Sequence, residues 1–92
     1  MNKDIHENQS KEVKILSVET RSGKEYCSYW KANMFQVETD FGTFISATIP
    51  KHQEDWQNGH FVDWFDQIGK TLKVQISPCS QAPGWNWIVY TS

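Results

Sequence analysis

The sequence predicts a mainly β domain of five strands, with one amphipathic helix between the third and the fourth. Three observations carry that expectation. Short runs rich in β-branched and aromatic residues alternate apolar with polar side chains, and Gly, Pro, Asn and Asp bound them. One window, residues 61–68, switches to helical spacing. Thirteen of the 92 residues are aromatic (five Trp, five Phe, three Tyr). Those rings give a short chain enough bulk for one core and exclude a disordered chain.

Residues 1–12 are polar and aperiodic, so they read as a flexible N-terminal tail ahead of a single domain at 13–92. Val13–Thr20 is the first strand, and Arg21–Lys24 a turn in which Gly23 is able to take a positive φ. Trp30–Thr39 reads as the second strand, Asp40-Phe41-Gly42 as a reversal, and Thr43–Ile49 as the third strand, stopped by Pro50. Ile45, Ala47 and Ile49 share one face of that strand and point inward; Phe44, Ser46 and Thr48 share the other and point outward. Phe61, Trp64, Phe65 and Ile68 then stand at i, i+3, i+4 and i+7, the stripe of an α-helix. Asn58 is its N-cap and Gly69 its left-handed end. Thr71–Ser77 is the fourth strand, with Leu72, Val74 and Ile76 inward. Trp85–Tyr90 is the fifth, following a loop that holds Pro78 and Pro83-Gly84. On it Trp85, Trp87 and Val89 share one face, Ile88 and Tyr90 the other, and one of those sets is core.

The formal charge of −2 is unevenly spread: −1 over residues 1–12, zero over 13–50, −3 over 51–69 and +2 over 70–92. The balance is not that of a protein covered by a basic face. Cys27 and Cys79 form no CxxC pair, and His6, His52 and His60 lack ligand spacing, so neither a zinc site nor any other metal or cofactor is expected. Two free thiols are expected, one disulfide being the alternative. No run of eighteen apolar residues exists to span a membrane. Met1–His6 has no apolar stretch of a signal peptide, which makes the cytoplasm the expected location.

The order β1-β2-β3-α-β4-β5 over residues 13–92 resembles the OB-fold, a five-stranded Greek-key barrel in which the helix caps one end. A β-grasp-like or open α+β sheet is the alternative. The resemblance lies in layout and in no family motif. It implies a binding face on strands 2 and 3, between the loops joining strands 1–2 and 4–5. By position that face offers Trp30, Lys31, Phe35 and Phe44. The first loop adds Arg21, Lys24, Tyr26 and Tyr29; the second adds Ser80 and Gln81, leading into Trp85 and Trp87. Phe44, opposite the inward Ile45, is where a base would stack. Phe35 shares its face with Val37 and serves equally as core.

The leading expectation is a non-enzymatic module for single-stranded nucleic acid, DNA in the first instance. Phe44, Trp30 and a C-terminal tryptophan would stack bases, while Arg21, Lys24, Lys31 and Lys73 neutralise phosphates. The alternative is a small acidic protein-interaction module, an inhibitor or adaptor, using exposed aromatics and a helix face of Glu54, Asp55, Asp63 and Asp66. Either reading accommodates a homodimer or larger homo-oligomer. An oligosaccharide would also stack on tryptophan. No catalytic motif with supporting spacing is present, so an enzyme is the weakest reading.

Overall fold

The computed structural model describes residues 8–48, 57 and 62–91. Five strands form, β1 (Gln9–Ser22), β2 (Asn33–Thr39), β3 (Gly42–Ala47), β4 (Thr71–Pro78) and β5 (Asn86–Tyr90). They make one mixed sheet that closes on itself as a ring in the order β1-β2-β3-β5-β4. All pairings are antiparallel except that of β3 with β5.

Closure depends on the length of β1. Its first half, Gln9–Lys14, pairs with Ile76–Thr71 of β4, and its second half, Ile15–Ser22, pairs with Thr39–Asn33 of β2. Between Ile15 and Ser17 the register slips. A bulge of this kind bends a strand and sharpens its twist, which lets one strand serve two partners around a ring. β1 therefore starts at Gln9, four residues before the expected domain boundary. Gln9–Glu12 are exposed and held by ladder hydrogen bonds, not by burial, so their polar texture conceals the strand. Residues 1–7 of the expected tail lie outside the described residues.

The hairpin of β2 and β3 forms as the Asp40-Phe41-Gly42 reversal predicts. Buried Thr39 organises it: its hydroxyl donates to the Gly42 carbonyl at 2.8 Å and accepts from the Phe41 and Gly42 amides, both at 3.1 Å. The inner core comprises Val13, Ile15, Val18, Val37, Phe44, Trp64, Val74, Ile76 and Ile88, with Phe35, Phe41, Leu72 and Tyr90 packed against it. The alternation expected of β4 holds, with Val74 and Ile76 fully buried and Leu72 half-buried.

Two further expectations are corrected here. The first concerns β3. Phe44 is fully buried in the inner core beside Val37, its partner across the hairpin. Ile45 is also sealed, but on the other side, in a separate cluster with Cys79 and Ala82. Both faces of β3 are covered, so two-residue alternation carries no information about which side is inside.

The second concerns the helix. Among the described residues no helix reaches seven residues, and the stripe is a single 3-10 turn at Trp64–Gln67. Asp63 caps it, its carboxylate accepting from the Phe65 amide at 3.1 Å, and Ile68 returns to extended backbone (φ −58°, ψ 128°). One turn directs only one ring inward. Trp64 enters the core, and its Nε1–H donates to the Ser46 hydroxyl at 2.9 Å. Phe65 and Ile68 stay 45% exposed. Phe61 and Asn58 lie outside the described residues. Gly69 does take the expected left-handed conformation (φ +88°). Its amide donates to Ile15 O at 2.8 Å, and Ile15 N donates to Lys70 O at 2.9 Å. The exit from the turn is thereby fastened to β1 beside the bulge.

Candidate binding face

The outer side of β3 carries the second cluster. Register places Ile45 opposite Trp87 of β5 on one side and opposite Gln36 of β2 on the other. Over Ile45 lie Cys79 and Ala82, with Tyr26, Trp30, Trp85 and Trp87 packed around them, each half-buried. Tyr26 and Trp30 come from the β1–β2 connection, Cys79, Ala82 and Trp85 from the β4–β5 connection, and Trp87 from β5 itself.

Local geometry brings each ring there. β1 ends at Ser22, which with Glu25 forms a reciprocal cap on the 3-10 turn Gly23–Glu25: Ser22 Oγ accepts from Lys24 N, and the Glu25 carboxylate accepts from Ser22 N. The chain then folds back until Gly23 N donates to Ala32 O at 2.9 Å. A Cβ on Gly23 would stand 2.5 Å from that carbonyl and 2.8 Å from Trp30 Cβ. Gly23 is needed for this close approach and does not adopt the positive φ open to it. On the other side, Pro83-Gly84 reverses the chain with Gly84 at φ +87°, and Cys79 N donates to Trp85 O while Trp85 N donates to Ala82 O.

The rings contact one another across the two connections. Tyr26 meets Trp85 edge to face, with centroids 4.7 Å apart, and Trp30 lies over Trp87 at 5.5 Å with planes tilted by 32°. Trp30 Nε1–H donates to Gln81 Oε1 at 3.0 Å, and the Tyr26 hydroxyl donates to Gln36 Oε1 at 2.9 Å. Burial, followed by the nearby Glu25 carboxylate, pushes the Tyr26 hydroxyl above its ordinary pKa. Tyr29, at the tip of the first connection, is 87% exposed.

The expected site residues divide accordingly. Trp30, Trp85 and Trp87 converge, and Lys24 and Lys31 are exposed on the connection that carries Trp30. Phe44 does not belong, being sealed inside the ring. Phe35 also lies on the inner side, edge-on to Phe65 with centroids 5.5 Å apart.

Arg21 is already compensated. Its guanidinium bonds Glu19 at 2.6 Å and Glu25 at 3.4 Å. The Glu19 hydrogen bond, then the charges of Glu19 and Glu25, raise its pKa further and hold it as a cation within that triad. Lys73 is on the outer side of β4, opposite Glu12 of β1. It lies four residues from Ser77, the partner of Trp87, which is about 13 Å at the rise of a strand. Between them on β5, exposed Val89 continues the same face.

Tyr26 and Gln36 are the participants that sequence alone underweights. Their only signal is position, Tyr26 near the start of a connection and Gln36 midway along a strand. Of the acidic set, Asp63 is engaged as a cap, Asp66 is exposed, and Glu54 and Asp55 lie outside the described residues.

Cys27 and Cys79 are both free and buried. Among the described residues, no three His, Cys, Asp or Glu side chains gather as a metal site would require, and no helix is long and apolar enough to cross a membrane. Comparison with protein-family models, with curated proteins and with solved structures returned no match.

Proposed function

We propose that this chain is a non-enzymatic module with OB-like layout that binds single-stranded nucleic acid, DNA in the first instance, on the outer side of β3. One observation carries the reading: three tryptophans and a tyrosine, each half-buried, gather between the β1–β2 and β4–β5 connections. A ring that is braced on one side and open on the other loses little freedom when a base stacks on it, and stacking of this kind tolerates any base. Trp30, Trp85 and Trp87 supply the platforms, with Tyr29 within the same connection as Trp30. Lys24 and Lys31 supply phosphate contacts beside the rings, and a strand continuing over Val89 reaches Lys73. The ring order β1-β2-β3-β5-β4, closed by antiparallel β1–β4 pairing, supports the OB-like assignment.

Quenching of tryptophan fluorescence by oligo-dT at 50 and 200 mM salt tests this. Three lysines at most release counterions, since Arg21 is compensated. The slope of log K against log salt is therefore expected to be no steeper than about −2, a loss of at most roughly 20-fold across that range. Trp85→Ala or Trp87→Ala should weaken binding by about 1–3 kcal/mol. Absence of quenching, or affinity unchanged by substitution of each of the three tryptophans, contradicts the proposal.

A protein partner is the second reading. It is favoured by Leu16, Phe65 and Ile68, each 45% exposed on β1 or on the turn segment fastened to it. Co-purification that survives loss of the tryptophan face but fails in Phe65→Ala would support it.

A further inference from the structure

A side-chain hydrogen bond between residues 51 positions apart, Trp30 Nε1–H to Gln81 Oε1 at 3.0 Å, joins the two connections that flank the aromatic face. Gln81 is exposed and belongs to no strand. Beside it Ile45 and Ala82 are fully buried and Cys79 almost fully. What the amide does fix is the rotation of the Trp30 indole. A tryptophan half-buried at the end of a connection has two χ angles to settle. Contact with Trp87 at 5.5 Å limits its tilt, and an acceptor at the indole nitrogen limits its spin.

We infer that Gln81 is a positioning residue that presets the Trp30 plane for stacking, so that the two connections act as one clasp. This rests on the proposed nucleic-acid reading for its functional consequence, but not for the clasp itself. An indole held at both its face and its nitrogen before a ligand arrives avoids the ordering cost that a freely rotating ring meets on binding. Loss of the acceptor leaves an exposed indole N–H that water can satisfy, so fold stability changes little while the orientation is lost.

The test uses the full chain, with Gln81→Met, which keeps the length and removes the amide acceptor, and Gln81→Glu, which keeps an oxygen acceptor. Three quantities are measured: exchange of the Trp30 indole N–H with solvent in free protein, the melting temperature, and affinity for oligo-dT.

Gln81→Met should speed indole exchange and weaken oligo-dT about 2- to 10-fold, the size of one hydrogen bond's net contribution, with the melting temperature unmoved. Gln81→Glu should restore slow exchange. Its affinity should approach wild type as salt screens the added charge.

Unchanged exchange in Gln81→Met overturns the clasp. Faster exchange with unchanged affinity overturns its role in binding, and affinity loss that simply tracks a fall in melting temperature does the same. Failure of the wild type to bind oligo-dT removes the nucleic-acid reading instead, and the exchange measurement still decides the clasp.

Discussion

Phe44 and Trp30, both expected on the face of strands 2 and 3, come to opposite fates: Phe44 lies on β3, and Trp30 precedes β2 in the β1–β2 connection. Phe44 is fully buried in the ring, stacked beside Phe41 at 6.2 Å, so its truncation is a core lesion. Phe44→Ala should lower unfolding free energy by about 3–5 kcal/mol, read from the urea midpoint. At temperatures where the variant remains folded, oligo-dT affinity should match wild type; a selective loss of binding would return Phe44 to the interface. Tyr26 offers a pH-dependent counterpart. Its folded pKa is raised above the ordinary value of about 10 by burial, then by Glu25. A raised acid favours the protonated folded state, so its contribution is fully present below that ordinary value and is lost as pH climbs through the higher folded one. Melting temperature followed from pH 8 to 12 should fall at the alkaline end, and less steeply in Tyr26→Phe. An identical fall in both proteins would show that another group is responsible.

At the scale of elements, the β1–β2 connection is the part most exposed to a single substitution. Gly23 N bonds Ala32 O, and a side-chain carbon there would press on that carbonyl and on Trp30 Cβ. Neither neighbour is the free end of a flexible chain, so Gly23→Ala should cost about 1–3 kcal/mol by overpacking and displace Trp30. A fall in melting temperature accompanied by a changed tryptophan emission maximum is the expected result; wild-type values for both would show that the loop relaxes freely.

The elements also show what the chain makes legible. β4 is plain in sequence because one face is apolar, and the β2–β3 hairpin because the turn residues mark the reversal. The facing of β3 is not, because Phe44 fills the ring while Ile45 lies under a second aromatic layer built from residues 26–30 and 79–87. Local alternation reports that a residue is buried, but not against what. The stripe at 61–68 misleads for a related reason. Helical spacing fits three of its members among the described residues, yet Asp63 starts the turn and extended Ile68 ends it, leaving Trp64 alone to be inserted.

At the scale of the molecule, the bulge at Ile15–Ser17 lets β1 bond both β2 and β4 and so closes the ring. Closure satisfies the edges that an open sheet would leave to pair with other chains. On the outside, two connections and β5 place Tyr26, Trp30, Trp85 and Trp87 together. The convergence of Trp30 with Trp85 and Trp87 was legible as a pattern of position, since all three flank the connections that the OB-like layout sets beside one face. The pairing of Arg21 was not. Nothing in the local sequence shows that Glu19 and Glu25 both turn toward it, although β-strand spacing puts Glu19 and Arg21 on one side.

The most direct test locates the ligand on the protein. Oligo-dT carrying 5-iodouracil, irradiated in complex and mapped by peptide mass spectrometry, should cross-link at Trp30, Trp85 or Trp87, the rings of the outer face, or at Tyr29 in the same connection as Trp30. Cross-links confined to Phe65 and the segment around Leu16, on the side fastened to β1, would contradict the account.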